Sequence, residues 1–272
     1  MSQHKPRVGG STFGFFYHAD LRRSLASLAE AGFRDVELAA GEPHLRPPTT
    51  TSEDCRVIRR SLDELGMNCV SINPIEMNLI SPNAEIRELC RRNYVASARI
   101  LAEVGGEVLV VVPGRYNGLI PMPESQAMDL FQAQLSVLLD EVRRLDLTLA
   151  LETTPFGFLG STEALVKTIE QVGDPRLGLA LDVANTFPRE DIAASVRAGG
   201  KHLRMVQFSG TWRDRWAHAS ISEGDLDVDQ LRQALVEIEY AGPVIYELVD
   251  GKDPAPRLAP DLTALEQAGW SR

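Results

Sequence analysis

The sequence predicts a (β/α)8 barrel, and three observations support this prediction. The same joint recurs along the chain, where a helical segment ends in glycine and a β-rich segment follows directly, as in LAEAGFRDVEL, LDELGMNCVSI and LAEVGGEVLVV. Glycine suits this joint because a helix C-terminus commonly needs a left-handed residue, which glycine adopts without a Cβ penalty. An opening strand at about 7–16 and a closing helix at about 257–268 complete eight strand–helix pairs within 272 residues. Alternating units of this length and number are typical of a closed parallel barrel.

The remaining joints continue the pattern through the second half of the chain. They read IEQVGDPRLGLALD, VRAGGKHLRMVQF and IEYAGPVIYEL, and a variant, VRRLDLTLALE, has Asp146 where the glycine would be. Rossmann-like winding is the alternative, but no G-x-G-x-x-G follows any predicted strand. Because no linker or low-complexity tract interrupts the pattern, we expect residues 1–272 to form a single barrel domain.

Composition and charge restrict the classes of partner. A hydrophobic content of 44% with 24% charged residues is ordinary for a soluble protein with a full core. The net charge of −10 argues against nucleic acid or an anionic membrane surface as the main partner. Three cysteines without metal-ligand spacing indicate a reducing compartment. The N-terminus (MSQHKPRVGG) has no apolar signal region, so a cytoplasmic location is expected.

Polar side chains stand at the ends of four successive apolar runs. Glu152 ends LTLALE, Asp182 follows LGLAL, Gln207 follows HLRMV, and Glu247 follows PVIY. Taken singly, each has an ordinary explanation, such as a salt bridge, a helix cap or a self-satisfied amide. Together, at the carboxyl ends of neighbouring strands, they predict a shared metal site, because four independent buried polar groups would each carry a desolvation cost. This oxygen-rich set favours Mn²⁺ or Mg²⁺, with Co²⁺ or Zn²⁺ as substitutes.

The chain resembles the xylose-isomerase-like (β/α)8 superfamily of sugar isomerases and epimerases, which also contains endonuclease IV. The motifs that carry this resemblance span most of the sequence: GFRDVEL, LALETT, PRLGLALDVAN, MVQFSG, SEGDLDVDQL and GPVIYEL. In such enzymes a Glu, an Asp, a His or Gln and a Glu at the ends of the last four strands bind the metal. The resemblance assigns these roles to Glu152, Asp182, Gln207 and Glu247. Glutamine at the third position is similar to the hydroxypyruvate isomerase and 3-dehydroshikimate dehydratase groups.

Three positions depart from the pattern of the relatives. Asn185 stands where many of them have a histidine, and Gly210 stands where an aspartate often follows the seventh strand. Val112 occupies the place of a zinc-binding histidine in the nuclease relatives, so nuclease chemistry is not expected.

The resemblance implies an isomerase or epimerase that acts on a small hydroxy-ketone, sugar or sugar acid. A metal ion would stabilise the enediolate, and Glu152 and Glu247 would remove and return the carbon-bound proton. A dehydratase of the 3-dehydroshikimate or inosose type is the alternative enzyme, because it begins with the same proton abstraction. A barrel that binds a ligand without catalysis is the third interpretation, motivated by Asn185 and Gly210. Relatives commonly form dimers or tetramers, so a homo-oligomer is compatible with the sequence.

Further candidates for substrate contacts come from position in the predicted barrel. Asn185 follows the sixth strand, and Glu37 lies at the end of VEL on the second strand. The loop TWRDRWAHAS contributes Trp212, Arg213 and His218. An arginine could neutralise an anionic substrate group and a histidine could relay a proton. Loop packing and simple surface exposure are the competing explanations for these three residues.

Overall fold

The computed structural model describes residues 6–272, which form a closed barrel of eight parallel strands in the order β1-β2-β3-β4-β5-β6-β7-β8. The strands are β1 Val8–Ser11, β2 Asp35–Ala40, β3 Asn68–Pro74, β4 Val108–Val111, β5 Thr148–Glu152, β6 Leu177–Asp182, β7 Leu203–Phe208 and β8 Val244–Tyr246. The helices are α1 Leu21–Ala31, α2 Ser52–Leu65, α3 Ala84–Val104, α4 Glu124–Arg144, α5 Thr162–Val172, α6 Val183–Thr186, α7 Ile192–Gly199, α8 Val228–Glu237 and α9 Ala255–Gln267. The predicted (β/α)8 barrel is therefore confirmed.

Most helix–strand joints have the backbone conformation that the sequence pattern predicts; the exception follows α8, where Glu239 (φ 54°) is left-handed and Gly242 is not. Gly32 ends α1 with φ 112° and Gly66 ends α2 with φ 63°. Asp146 replaces glycine after α4 and still adopts φ 59°. The joint therefore requires the left-handed conformation itself, which aspartate tolerates better than most residues.

Apolar side chains fill the barrel in two regions. A small cluster lies inside the strands, and its members are Val108, Val110, Ala150, Ala180, Met205 and Ile245. A larger cluster packs the outer faces of the strands against the helices. Polar residues replace the apolar ones toward the carboxyl ends of the strands, where Glu37, Ser71 and Gln207 are buried. The lower part of the barrel interior is therefore apolar, and the part near the carboxyl ends of the strands is polar.

The first strand is shorter than the expected 7–16, because the chain turns at Thr12. A short 3-10 helix, Phe13–Phe15, follows β1, and the Thr12 hydroxyl accepts a hydrogen bond from the Ala39 amide at 2.9 Å. A side chain at Gly14 would meet the Leu248 carbonyl oxygen at 2.1 Å, so this turn packs tightly against the segment after β8.

Residues 1–5, which belong to the N-terminal segment that we expect to lack a signal region, lie outside the described residues. Within residues 6–272, no helix has both the length and the apolar character needed to cross a membrane.

Candidate metal and active site

The four strand-end residues predicted from the sequence lie at the same end of the barrel. Glu152 and Asp182 are the last residues of β5 and β6, Gln207 lies in β7, and Glu247 follows β8 directly. Asp182 and Gln207 are direct partners in the sheet register. Exposed fractions of 7% or less show that all four are buried.

Asp182 uses one carboxylate oxygen for the backbone and leaves the other free of hydrogen bonds. Its Oδ1 accepts from the amides of Ala184 at 2.8 Å and Asn185 at 3.2 Å, which caps α6. Its Oδ2 is buried and has no hydrogen-bond partner among the described residues. The helix cap therefore fixes the carboxylate and points the second oxygen at the site.

Gln207 is oriented by Glu37. The Gln207 amide Nε2 donates to Glu37 Oε1 at 3.1 Å, and the Ser71 hydroxyl donates to Glu37 Oε2 at 3.1 Å. Gln207 Oε1 is left buried without a hydrogen-bond partner within residues 6–272. Glu37 is expected near the mouth, either in contact with substrate or behind the residues that contact the ion. It is fully buried with both oxygens engaged, and its hydrogen bond to Gln207 agrees with the second alternative.

Glu152 lies between two side-chain amides. Asn73 Nδ2 donates to its Oε2, and Asn185 Nδ2 donates to its Oε1, both at 3.2 Å. Asn73 lies near the end of β3 and was not predicted, although a polar residue at a strand end (VSINP) was a signal of the same kind. These two amides orient the Glu152 carboxylate in the cavity.

Asn185 also connects the loop after β7 to the site. Its Oδ1 accepts from Trp216 Nε1 at 2.7 Å and lies 3.3 Å from His218 Nε2. The other ring nitrogen of His218, Nδ1, lies 3.4 Å from Glu247 Oε2. The structure thus places Asn185 and His218 beside the predicted ligands.

The unpartnered atoms at this end of the barrel fit a cation. Ligand atoms from Asp182, His218 and Glu247 lie within 4.8 Å of one another. Among the described residues, buried atoms without a hydrogen-bond partner include one from each of these and from one neighbour: Asp182 Oδ2, Gln207 Oε1, His218 Nδ1 and Glu247 Oε1. The oxygens are all acceptors, and leaving buried acceptors unpaired is costly. A divalent cation would satisfy them together, and oxygen donors with one imidazole suit Mn²⁺ or Mg²⁺ as well as softer ions.

Burial and mutual repulsion raise the pKa of the carboxyl groups of the site. Burial raises the pKa of Glu37 from 4.5 to about 7, against the hydrogen bonds from Gln207 and Ser71 that lower it. Burial, followed by the charges of neighbouring carboxylates, raises the pKa of Glu152 and Glu247 well above the usual range. Burial also raises the pKa of Asp182, against the hydrogen bonds from the amides of Asn185 and Ala184 that lower it. Without a cation the site therefore favours bound protons.

A cavity of about 270 Å³ opens above these residues. Glu152, Asp182 and Glu247 lie among its lining residues, and part of its wall is apolar: Phe13, Ile75, Met77, Phe156 and Trp216. Phe156 and Trp216 meet edge to face with ring centroids 5.9 Å apart. Arg115 is the one arginine of residues 6–272 on the lining, and it is exposed.

Arg213 and Trp212, expected to contact substrate, are not among the residues that line the cavity. The Arg213 guanidinium donates to the carbonyl oxygens of Phe187 at 2.6 Å and Glu190 at 2.9 Å. The ring of Trp212 is covered by the guanidinium of Arg215, 3.7 Å from the ring centroid. Both side chains are engaged in loop packing in this structure.

Comparison with known families identifies the class to which this fold belongs. The profile of the xylose isomerase-like TIM barrel family matches residues 25–272, and the chain belongs to that family. None of the curated protein sequences compared with the chain matches it.

Solved structures with the same fold share little sequence with the chain. A D-tagatose 3-epimerase-like protein superposes with a TM-score of 0.84 at 20% identity, covering 96% of each chain. D-psicose 3-epimerase from Clostridium cellulolyticum H10 gives 0.79 at 14% identity, covering 97% of this chain and 99% of its own. The 3-keto-D-glucoside 4-epimerase from E. coli gives 0.80 at 17% identity, covering 97% of this chain and 100% of its own.

Proposed function

We propose that this protein is a divalent-metal-dependent epimerase of a keto sugar. The observation that carries the proposal is the set of buried, unpartnered acceptor atoms on Asp182, Gln207 and Glu247 beneath an open cavity. The similar structures are named as epimerases of tagatose, psicose and a 3-keto-glucoside, which supports the same reaction class here. We also propose that the whole chain, residues 1–272, forms this one domain in the cytoplasm.

The proposed metal ligands are Glu152, Asp182, Gln207 and Glu247, and the ion is Mn²⁺ or Mg²⁺. A bound cation would polarise the substrate carbonyl and stabilise the negative charge that develops when the neighbouring carbon loses its proton. The cap of α6 holds Asp182, and Glu37 holds Gln207, so the donor atoms need little rearrangement on binding.

Glu152 and Glu247 are the proposed acid and base. Both line the cavity, and burial together with neighbouring negative charge raises the pKa of both well above the usual range. These raised pKa values describe the site without an ion, and a bound cation would lower them and keep both carboxylates ionised, the state that a base requires. One of the two removes the proton from the carbon beside the carbonyl, and the other returns a proton to the opposite face.

The cavity lining favours a neutral substrate. The charged side chains on it are mostly acidic, with Glu76, Glu152, Asp182 and Glu247 against Arg115. The aromatic wall of Phe156 and Trp216 offers ring faces and edges to the carbon-bound hydrogens of a sugar. A free ketose therefore fits this lining better than a phosphorylated one.

The test is hydrogen exchange in D₂O with Mn²⁺-loaded protein and a panel of ketoses, hydroxypyruvate, inososes and dehydroshikimate. We expect deuterium uptake beside the carbonyl of a ketose, with an epimer formed and no loss of water. Glu152→Gln should lower the exchange rate about 10²–10⁴-fold, the range of a general acid–base group. Glu64→Gln, on the exposed outer face of α2, is the matched control. Release of water with a new ultraviolet absorbance would identify a dehydratase, and no exchange with any compound would support a non-catalytic barrel.

A further inference from the structure

We infer that His218 binds the cation through Nδ1, and that Asn185 is the positioning residue that leaves this nitrogen available. The inference rests on the proposed metal site and adds a ligand from the loop after β7, outside the strand-end positions.

Three hydrogen-bond partners determine the orientation of the Asn185 amide. Its Nδ2 lies 3.0 Å from the Thr153 carbonyl oxygen and 3.2 Å from Glu152 Oε1. A carbonyl oxygen can only accept a hydrogen bond, so the NH₂ group must face it. At the other end, the Trp216 indole N–H lies 2.7 Å away and can only donate, so the Asn185 oxygen must face Trp216.

Asn185 in turn determines which nitrogen of the His218 ring carries the hydrogen. His218 Nε2 lies 3.3 Å from the same Asn185 oxygen. That oxygen has no proton to give, so Nε2 must carry the hydrogen and donate it. In a neutral imidazole the other nitrogen, Nδ1, then keeps its lone pair.

The Nδ1 atom of His218 faces a carboxylate. It is buried, has no hydrogen-bond partner among residues 6–272, and lies 3.4 Å from Glu247 Oε2. A lone pair and a carboxylate oxygen are both electron donors, and they repel unless a proton or a cation lies between them. One cation would also serve the unpartnered oxygens of Asp182 and Gln207. Asp182 Oδ2, also unpartnered, lies 3.8 Å from His218 Nε2, so the ring edge faces both carboxylates. Metal-bound histidines generally donate a hydrogen bond from the N–H of their second ring nitrogen, and the Asn185 oxygen is the acceptor here.

One consequence links the ion to the wall of the cavity. Asn185 Oδ1 holds Trp216 and His218 at once, so the same residue positions the metal ligand and a lining side chain. The imidazole that we assign to the ion therefore comes from the loop after β7.

The direct test is pulsed electron paramagnetic resonance of the Mn²⁺-loaded protein. We expect a ¹⁴N coupling of a directly bound imidazole, replaced by a ¹⁵N coupling after labelling with ¹⁵N-histidine. His218→Gln should remove the coupling and weaken Mn²⁺ binding at least tenfold in a titration. His202→Gln is the matched control, because His202 lies just before β7 at the opposite end of the strand. Asn185→Ala should keep the coupling and weaken Mn²⁺ binding about 10–100-fold, the usual effect of removing the hydrogen-bond partner of a ligand.

A second measurement keeps the inference falsifiable if His218→Gln does not fold. Long-range ¹H–¹⁵N spectra of the labelled, Mg²⁺-loaded wild-type protein should show the His218 ring, assigned through its contact with the Trp216 ring, with hydrogen on Nε2 and none on Nδ1. An imidazolium at His218, or Mn²⁺ bound tightly without a nitrogen coupling, would overturn the inference. These measurements need no turnover, so they do not depend on the proposed epimerase activity. Hydrogen exchange without a nitrogen coupling would refute only His218 as a ligand. A nitrogen coupling without hydrogen exchange would refute only the proposed reaction.

Discussion

Gln207 and Glu37 form a buried hydrogen bond of 3.1 Å across the inside of the barrel, between β7 and β2. Both side chains are fully buried, and the bond leaves Gln207 Oε1 as a free acceptor in the site. Glutamine has two ends of different polarity, and only a partner can determine which end faces an ion. Glu37 provides that partner although it lies below the mouth.

Glu37→Leu tests this role. The change leaves the Gln207 amide and the Ser71 hydroxyl without their acceptor, and each orphaned donor costs about 1–3 kcal/mol. We expect the free energy of unfolding to fall by about 2–6 kcal/mol and Mn²⁺ affinity to fall about 10–100-fold. Calorimetric titration and urea unfolding measure the two effects. Glu37→Gln keeps one acceptor oxygen and should lose less stability and less Mn²⁺ affinity than Glu37→Leu. A Mn²⁺ affinity of the Leu variant equal to that of the wild type would refute the orienting role of Glu37.

The buried carboxyl groups predict how the stability of metal-free protein depends on pH. Burial raises the pKa of Glu37 from 4.5 to about 7 and also raises the pKa of Glu152, Asp182 and Glu247. The folded state therefore holds protons more tightly than the unfolded state, so this contribution to stability is full below pH 4.5 and is lost as pH rises through about 7.

For the chelator-treated protein we expect Tm to fall by at least about 3 °C between pH 5.5 and pH 8. Saturating Mn²⁺ should restore the loss at pH 8, since a ligand at a hundredfold excess over Kd stabilises by about 2.7 kcal/mol. Differential scanning calorimetry at both pH values measures this. A metal-free Tm that rises over the same interval would contradict the shifted pKa values.

Trp216 should influence substrate binding more than turnover. It lines the cavity, meets Phe156 edge to face and donates to Asn185. Loss of an aromatic contact of this kind costs about 0.5–1.5 kcal/mol, so Trp216→Ala should raise KM up to about tenfold with a smaller change in kcat. Steady-state kinetics on the preferred ketose measure both constants. Tyr17→Ala, an exposed aromatic residue that does not line the cavity, is the control, and an unchanged KM in the Trp216 variant would remove it from the substrate wall.

The sequence predicted the barrel because each joint is local: a left-handed helix end and an apolar strand can be read from neighbouring residues. Glu152, Asp182 and Glu247 were found for the same reason, since a carboxylate at the end of an apolar run is conspicuous. Glu37 was singled out from the sequence, but its pairing with Gln207 was not predicted, because the two residues are 170 positions apart.

Loop residues were harder to assign for a different reason. Arg213 and His218 belong to the same loop, but the Arg213 guanidinium donates to two carbonyl oxygens while the His218 ring lies among carboxylates. Only the path of the loop backbone decides between these outcomes, and residue type carries no information about that path.

A crystal of the protein soaked in Mn²⁺, measured with anomalous X-ray scattering, tests most directly whether the acceptor atoms of the barrel mouth share one cation. We predict a single strong anomalous peak within bonding distance of Asp182 and Glu247, with Gln207 Oε1 and His218 Nδ1 facing it. Absence of a peak there at saturating Mn²⁺, with the His218 ring paired directly to the carboxylates, would contradict a metal-dependent site.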